Sequence, residues 1–284
     1  MSLEFYRTPV DFSDPGTEAR LFDGLPRDIA ALAKLVQGLL IHEHMTEAYG
    51  VTLPTERRGE SHVRPIGNVL AAIAACDPRP LTAAREPRDR YICVCRSFTL
   101  LFVAILRHQG VPARARCGFG AYFEKGKFYD HWVAEYWNTE DKRWVMVDAQ
   151  IDDRQRKMFG ISFDTLDVAR DRFLIAGDAW TLCRSGKEDP QNFGILDMHG
   201  LWFIAGNLVR DLAALNNREM LPWDVWGAMK LGDDGLDLAF FDRLAELTHE
   251  PDRHFAELRA VYNDKRVAVP ATVFNAVLNR SEAA

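Results

Sequence analysis

The 284-residue sequence lacks the features of membrane, secreted and nucleic-acid-binding proteins. Its longest apolar run, Leu100–Leu106, is far shorter than the about 20 residues that cross a bilayer. The first residues contain no basic segment followed by an apolar stretch, so no signal peptide is predicted. The net charge of -6 shows no basic surplus for binding phosphates. We therefore expect neither a membrane nor a nucleic-acid partner.

Cysteine is scarce, and its spacing excludes two further classes. An odd number without framework spacing predicts reduced thiols and a cytoplasmic location rather than a disulfide scaffold. The closest pair is C-x-C, not C-x-x-C, and no second Cys/His pair completes a zinc site. We therefore predict no metal and no cofactor. The five cysteines are Cys76, Cys93, Cys95, Cys117 and Cys183.

Apolar periodicity predicts helices on both sides of a strand-rich centre. A central helix over about Cys95–Gln109 carries its apolar residues at helical spacing, and Gly110 with Pro112 stops it. A mostly helical segment is predicted after about residue 150. The other predicted helices are one beginning at Pro26, Ile66–Cys76, Trp202–Asn216, Pro222–Met229, Leu238–Leu247 and Arg253–Tyr262.

Three strand-like runs after the central helix predict an antiparallel meander: Ala113–Phe119, His131–Trp137 and Arg143–Asp148. If Asn138–Asp141 closes the second hairpin, Trp137 faces Lys142. Continuing this register places His131 directly opposite Asp148, with Cβ atoms about 5 Å apart. A slip of one residue would send the two side chains to opposite faces.

These residues have the chemistry of a thiol-dependent acyl transfer. Cys95 begins a helix, where the helix dipole and a nearby imidazolium stabilise the reactive thiolate. His131 would return the proton to the leaving amine, while Asp148 sets its tautomer and orientation. Backbone N–H groups at the helix start, including that of Cys95, can hold the oxyanion, and the intermediate would be a thioester.

The ordered motifs resemble the transglutaminase-like superfamily over roughly residues 90–150. They are Cys95–Thr99, Leu106–Arg114, His131 with Glu135, and Arg143–Asp148. The resemblance implies a papain-like α+β fold, with a buried Cys-bearing helix on an antiparallel sheet, and a catalytic triad of Cys95, His131 and Asp148. Departures occur at Cys93 (often glycine in the family), Ser97 (often acidic) and Trp132 (more often one residue later). These departures affect the expected substrate preference more than the assignment of the triad.

We therefore predict a single α+β domain over 1–284, with a transglutaminase-like core at about 60–152 and a mostly helical extension at 153–284. The enzyme would act on an amide or acyl bond of a peptide, a protein or a small amide through a Cys95 thioester. It would be a peptidase, an amidase or an acyltransferase. The alternative is an inactive binding module with the same fold. A calcium-dependent cross-linker is disfavoured because no EF-hand-like loop is present.

Other conspicuous residues have structural interpretations. Glu135, expected opposite Trp144, is predicted to be a partly exposed supporting residue. The cluster of Arg57, Arg58 and Arg64 is predicted to be a charged surface, with an acidic substrate as the alternative. The aromatic segment Leu221–Gly227 is predicted to belong to the core, and the cysteines other than Cys95 to be inert.

Overall fold

Helices and strands alternate through the computed structural model, which describes residues 2–284. About two fifths of the chain is helical (42%) and 17% is strand, which confirms the α+β class at this level. No helix within these residues is both long and apolar enough to cross a bilayer.

The helices agree well with the apolar periodicity. The predicted helix at Ile66–Cys76 is confirmed without change, and the central helix ends one residue earlier than predicted. The helix predicted from Pro26 begins instead at Ile29, because the Asp28 side chain caps it by accepting a hydrogen bond from the Ala31 N–H at 2.8 Å. The α-helices are α1 Ser2–Phe5, α2 Ile29–Leu39, α3 Ile66–Cys76, α4 Cys95–His108, α5 Asp153–Phe159, α6 Ala176–Arg184, α7 Leu201–Ala214, α8 Leu238–His249 and α9 Phe255–Val261.

The strands include the three that the sequence predicted. The strands are β1 Leu40–His42, β2 Tyr91–Cys93, β3 Ala113–Gly120, β4 Phe128–Asn138, β5 Arg143–Val147, β6 Phe173–Ile175, β7 Phe193–Ile195, β8 Met198–His199, β9 Asp224–Val225, β10 Thr272–Asn275 and β11 Arg280–Ala283. The predicted helix over Pro222–Met229 is wrong. Asp224 and Val225 pair instead with Asn275 and Phe274 of β10.

The chain forms two compact units. The N-terminal unit comprises residues 3–114 and 133–168, and the C-terminal unit comprises residue 2 with 115–132 and 169–284. The boundaries fall inside β3 and β4, so each of these strands contributes to both units. The predicted division into a core at 60–152 and an extension at 153–284 stays a prediction.

In the N-terminal unit, β1 and β2 pair in parallel, and β5 pairs antiparallel with the 134–138 part of β4. Helix α4 lies in the core of this unit, with every residue from Cys95 to Arg107 buried. Its continuous apolar surface explains this depth, since both its stripe and its flanks are apolar. The helix end is closed as predicted: Gly110 adopts a positive φ of 78°.

In the C-terminal unit, the strand order is β6-β3-β4-β7-β8, and a second sheet has the order β11-β10-β9. Helices α6, α7 and α8 pack against one another. Gly118 of β3 permits the pairing with β6, because a Cβ atom there would lie 2.1 Å from the Leu174 carbonyl oxygen. Residues 153–284 thus contain six short strands that apolar periodicity does not indicate.

Candidate active site

Cys95 is the first residue of α4 and follows the short strand β2. Its side chain is buried, with a relative exposure of 5%. The first N–H groups of a helix have no partners within the helix and carry a partial positive charge. A helix start therefore favours a negatively charged group, whereas burial of a side chain favours its neutral form.

Two buried arginines anchor α4 in the N-terminal unit. Arg96 donates from Nη1 to the Arg64 carbonyl oxygen at 2.8 Å, beside the start of the helix. Near its end, Arg107 donates to the Ala113 carbonyl oxygen and to Ser13 Oγ, both at 2.8 Å. These charge-assisted bonds hold both ends of the helix, and hence the backbone of Cys95, in place.

The neighbouring thiol of Cys93 has a different electrostatic environment. It lies at the end of β2 and is fully buried. Burial, followed by the charge of Cys95, raises the pKa of Cys93 well above its ordinary value, and the hydrogen bond with Ser97 only partly opposes this shift. Cys93 is therefore a neutral thiol at physiological pH, as expected of an inert core residue.

His131 lies on β4 in the part that belongs to the C-terminal unit, with an exposure of 3%. Three aromatic rings of this unit surround it, with centroids 5.1 Å (Phe123), 6.1 Å (Tyr122) and 6.3 Å (Phe173) from the imidazole. Gly120 leaves room for the first two, since a Cβ atom there would lie 2.6 Å from the Phe123 ring. The imidazole therefore has a largely apolar, water-poor surrounding in this unit.

Asp130 precedes His131 and connects β4 to α7. Its Oδ1 accepts a hydrogen bond from Asn207 Nδ2 at 2.7 Å, and Asn207 Oδ1 accepts one from Arg210 Nη1 at 3.0 Å. Burial raises the pKa of Asp130, although Arg210, Asn207 and His131 each act to lower it. The strand that carries His131 is thus held by a polar chain of the C-terminal unit.

Asp148 directly follows β5 in the N-terminal unit, with an exposure of 1%. Its backbone N–H donates to the Thr165 carbonyl oxygen at 2.8 Å, and its Oδ1 accepts from the Gln150 N–H at 3.1 Å. These bonds position the carboxylate as the chain leaves the sheet.

The predicted register of the hairpin is wrong by two residues. Trp137 pairs with Trp144 rather than Lys142, and the ladder ends at the pair Ala134–Val147, so it includes neither His131 nor Asp148. The turn explains the difference. Asn138 remains in β4 and its side-chain oxygen accepts hydrogen bonds from Glu140 and Asp141 N–H, while Lys142 takes a positive φ of 52°. An even offset leaves the alternation of faces along each strand unchanged.

Two other predictions about polar residues need correction. Glu135 pairs with Met146 rather than Trp144, and it is buried, with Oε2 accepting from Arg114 Nε at 2.6 Å. Arg57 forms an ion pair with Glu60 at 2.6 Å and donates to the carbonyl oxygens of Arg88 and Arg90, so it joins its loop to the segment before β2. Arg64 is buried, so the predicted charged surface is wrong for this residue.

The prediction that the Leu221–Gly227 segment belongs to the core is confirmed for Leu221, Asp224 and Trp226, which are buried, whereas Gly227 is exposed. Trp226 is buried and donates from Nε1 to the Val267 carbonyl oxygen at 2.9 Å. Asp224 is buried and accepts a hydrogen bond from the Leu221 N–H at 2.9 Å.

The remaining titratable groups add no metal centre. Among residues 2–284, no group of three or more His, Cys, Asp or Glu side chains lies close enough together to hold a metal ion. None of the five cysteines forms a disulfide bond. The pKa of Cys183 is raised to about 12, mainly by burial and then by Glu188 and Asp189.

Comparison with known proteins identifies one family. Residues 79–149 match the model of the transglutaminase-like superfamily, which confirms the resemblance for this quarter of the chain. The superfamily commonly includes cysteine enzymes. No curated protein and no solved structure matches the chain. Cys95, His131 and Asp148 all lie within the matched residues.

Proposed function

We propose that this protein is a cysteine enzyme that cleaves or exchanges an amide or related acyl bond through a thioester on Cys95. The observation that carries the proposal is the family match over residues 79–149, which contains Cys95, His131 and Asp148 in that order. The place of Cys95 as the first residue of α4 supports it, because a helix start stabilises a thiolate.

In the proposed reaction, the Cys95 thiolate attacks the carbonyl carbon of the substrate. A C–S bond forms, and the carbonyl electron pair moves to oxygen. When the tetrahedral intermediate collapses, the C–N bond breaks and the imidazolium of His131 gives its proton to the departing amine. Asp148 accepts a hydrogen bond from the other ring nitrogen and sets the tautomer of His131. The acyl group remains on sulfur as a thioester.

The backbone at the start of α4 supplies the proposed oxyanion site. The Cys95 N–H and its neighbours would donate to the developing negative charge on the carbonyl oxygen. In this proposal the chain has a papain-like arrangement, in which α4 presents the nucleophile and the antiparallel strands present the base and its carboxylate.

Water or an amine then releases the acyl group. His131 removes a proton from this second nucleophile, which attacks the thioester carbon and restores the Cys95 thiol. A site poor in water favours an amine over hydrolysis. The aromatic surrounding of His131 is consistent with an acyltransferase, while peptidase and amidase activities follow from the same intermediate.

The alternative is a transglutaminase-like binding module without activity. One observation favours it: Cys95 is only 5% exposed, and the alternative expects a buried cysteine. The two functions differ in the reactivity of this sulfur. A catalytic Cys95 reacts rapidly with a small alkylating agent at neutral pH, whereas an inert core thiol does so slowly.

The test combines selective alkylation with trapping of the acyl-enzyme. The protein is incubated at pH 7 with iodoacetamide, or with a panel of peptide amides and thioesters, and the modified residue is identified by mass spectrometry. We expect adducts on Cys95, their loss in Cys95→Ser, and a decrease in turnover of about 10²- to 10⁴-fold in His131→Ala.

The matched control is Cys76→Ser, which removes an exposed thiol outside the matched residues. This variant should leave the Cys95 adducts and the turnover unchanged. Full turnover in Cys95→Ser would refute the proposal. Slow alkylation of Cys95 together with no acyl adduct from any substrate would support the binding module.

A further inference from the structure

The segment that follows β5 leaves the sheet at Asp148 and leads into α5, within the N-terminal unit. Asp148 lies one residue beyond the last residue of the strand, so the ladder with β4 does not fix its side chain. Its Oδ1 instead accepts a hydrogen bond from the N–H of Gln150 at 3.1 Å. The direction of this carboxylate therefore depends on where the backbone of Gln150 is held.

The side chain of Gln155, in the first turn of α5, holds Gln150 by two hydrogen bonds. Gln155 Oε1 accepts from Gln150 Nε2 at 3.0 Å, and Gln155 Nε2 donates a longer bond of 3.4 Å to the Gln150 carbonyl oxygen. Gln155 is itself fixed, because its backbone N–H donates at 2.9 Å to the side chain of Asp152, which caps α5. Both glutamines are buried, so water does not compete for these bonds.

Tyr49 determines which way round the amide of Gln155 lies. The Tyr49 hydroxyl donates to Asp152 Oδ2 at 2.8 Å, since an ionised carboxylate only accepts hydrogen bonds. Burial raises the pKa of Tyr49, although the hydrogen bond from Gln155 opposes this shift, so the hydroxyl keeps its proton at physiological pH. The Tyr49 oxygen therefore accepts from Gln155 Nε2, at 3.0 Å, and Oε1 of Gln155 faces Gln150.

The amide of Gln150 has one oxygen that this arrangement leaves without a partner. Because Nε2 donates to Gln155, Oε1 points away from it and is buried without a hydrogen-bond partner among residues 2–284. A buried acceptor without a partner is unfavourable, so the orientation of this amide is not set by the other contacts of Gln150. It is imposed from the side of α5, by Gln155 and the groups that orient Gln155.

We propose that Gln155 is a positioning residue for Asp148 and that it acts through the N–H of Gln150. The inference rests on the proposed function, in which the Asp148 carboxylate accepts a hydrogen bond from His131 and sets its tautomer. A carboxylate that turns away from this direction loses that bond even though it stays in place along the chain. The role of Gln155 is therefore indirect: its amide keeps the loop between β5 and α5 in one conformation.

The first measurement does not depend on turnover. Hydrogen exchange of the Gln150 N–H is followed by ¹H–¹⁵N NMR in the wild type and in Gln155→Met, which keeps a long side chain and removes its amide. We expect this N–H to exchange about tenfold faster in the variant, because two bonds that hold Gln150 are lost. The matched control is Gln109→Met, which removes a glutamine bond of 2.9 Å to the Pro26 carbonyl oxygen in the same unit. It should leave the exchange of the Gln150 N–H unchanged.

The second measurement uses turnover of a peptide amide or thioester that acylates the protein. We expect Gln155→Met to lower kcat about tenfold with KM changed by less than about twofold, because orientation of Asp148 matters in the transition state. In an Asp148→Asn background no carboxylate is left to orient, so the same substitution should have no further effect. A merely structural role of Gln155 would instead lower turnover by the same factor in both backgrounds.

Two results would overturn the proposal: an unchanged exchange rate of the Gln150 N–H in Gln155→Met, or an equal loss of turnover with and without the Asp148 carboxylate. Absence of turnover in the wild type would overturn the proposed function instead. The exchange rates would then still decide whether Gln155 maintains the bond between Gln150 and Asp148, so the two proposals can fail independently of each other.

Discussion

Two arginines of β3 form buried ion pairs with partners at very different distances along the chain. Arg114 pairs with Glu135, 21 residues away and within the family match. Arg116 pairs with Asp211 of α7, 95 residues away and outside it. The comparison shows that the first part of β3 pairs with a nearby strand, whereas the next part pairs with a helix outside the family match.

The two pairs also differ in how completely they are satisfied. Arg116 binds both Asp211 oxygens, at 3.0 and 2.8 Å, and donates to the Thr248 carbonyl oxygen at 2.8 Å, while Asp211 Oδ1 also accepts from the Cys117 N–H. Arg114 instead lies 3.9 Å from the ring centroid of Trp144, so stacking supplements its ion pair. We expect the long-range pair to contribute more to stability.

The largest effect is expected from Arg116→Met. Both partners are fully buried, and removing one leaves an uncompensated charge, which costs about 3–5 kcal/mol. Urea unfolding measures the free energy. The double variant Arg116→Met/Asp211→Leu should recover part of the loss, because no charge is then left unpaired. A single variant as stable as the wild type would contradict this account.

A smaller effect is expected from Glu135→Gln, which keeps the shape of the side chain and removes its charge. The amide oxygen can still accept from Arg114, but the attraction between the carboxylate and the guanidinium is lost, which should cost about 1.5–3 kcal/mol. The same urea titration measures it, with Glu140→Gln on the exposed turn of the hairpin as control. A decrease in the free energy of unfolding as large as that of Arg116→Met would contradict the proposed difference between the two ion pairs.

The smallest effect concerns the pH dependence of stability. Folding raises the pKa of the Cys93 and Cys183 thiols. Their contribution to the free energy of unfolding is therefore fully present below the ordinary thiol pKa and is lost as the pH rises from that value toward the raised pKa. We expect the free energy of unfolding to fall above about pH 9, each thiol contributing up to about 1.4 kcal/mol per pH unit.

Cys93→Ala should remove one thiol's share of this decline, measured by urea unfolding between pH 8.5 and 10. The matched control, Cys76→Ala at an exposed cysteine, should retain the wild-type slope. An unchanged slope in Cys93→Ala would show that burial of this thiol is not coupled to stability in this range.

Local patterns in the sequence were sufficient for the elements that carry the candidate site. Helix α4 was predicted because its apolar spacing is regular and Gly110 ends it. The bounds of β5 were predicted to within a residue because a polar turn precedes it. The register of the hairpin was predicted wrongly. It depends on the Asn138 side chain and on the conformation of Lys142, and apolar patterning reports neither.

The aromatic surroundings of His131 could not be predicted from sequence patterns either. The rings of Tyr122 and Phe123 come from a turn, and that of Phe173 from a three-residue strand that pairs with β3. Strands of two to four residues carry too few positions to display a period of two. For the same reason the strands after residue 168 are not predicted, and a helix is predicted over Pro222–Met229, where β9 lies.

The sequence by itself determined the α+β class, the main helices, the meander and the family resemblance of roughly residues 90–150. It did so because helical periodicity, strand alternation and turn residues act over a few neighbouring positions. Only the tertiary structure decided which arginine pairs with which carboxylate and how β4 and β5 are aligned. Those features depend on contacts between residues up to 132 positions apart, as between Arg116 and Thr248, and such contacts leave no local pattern in a single chain.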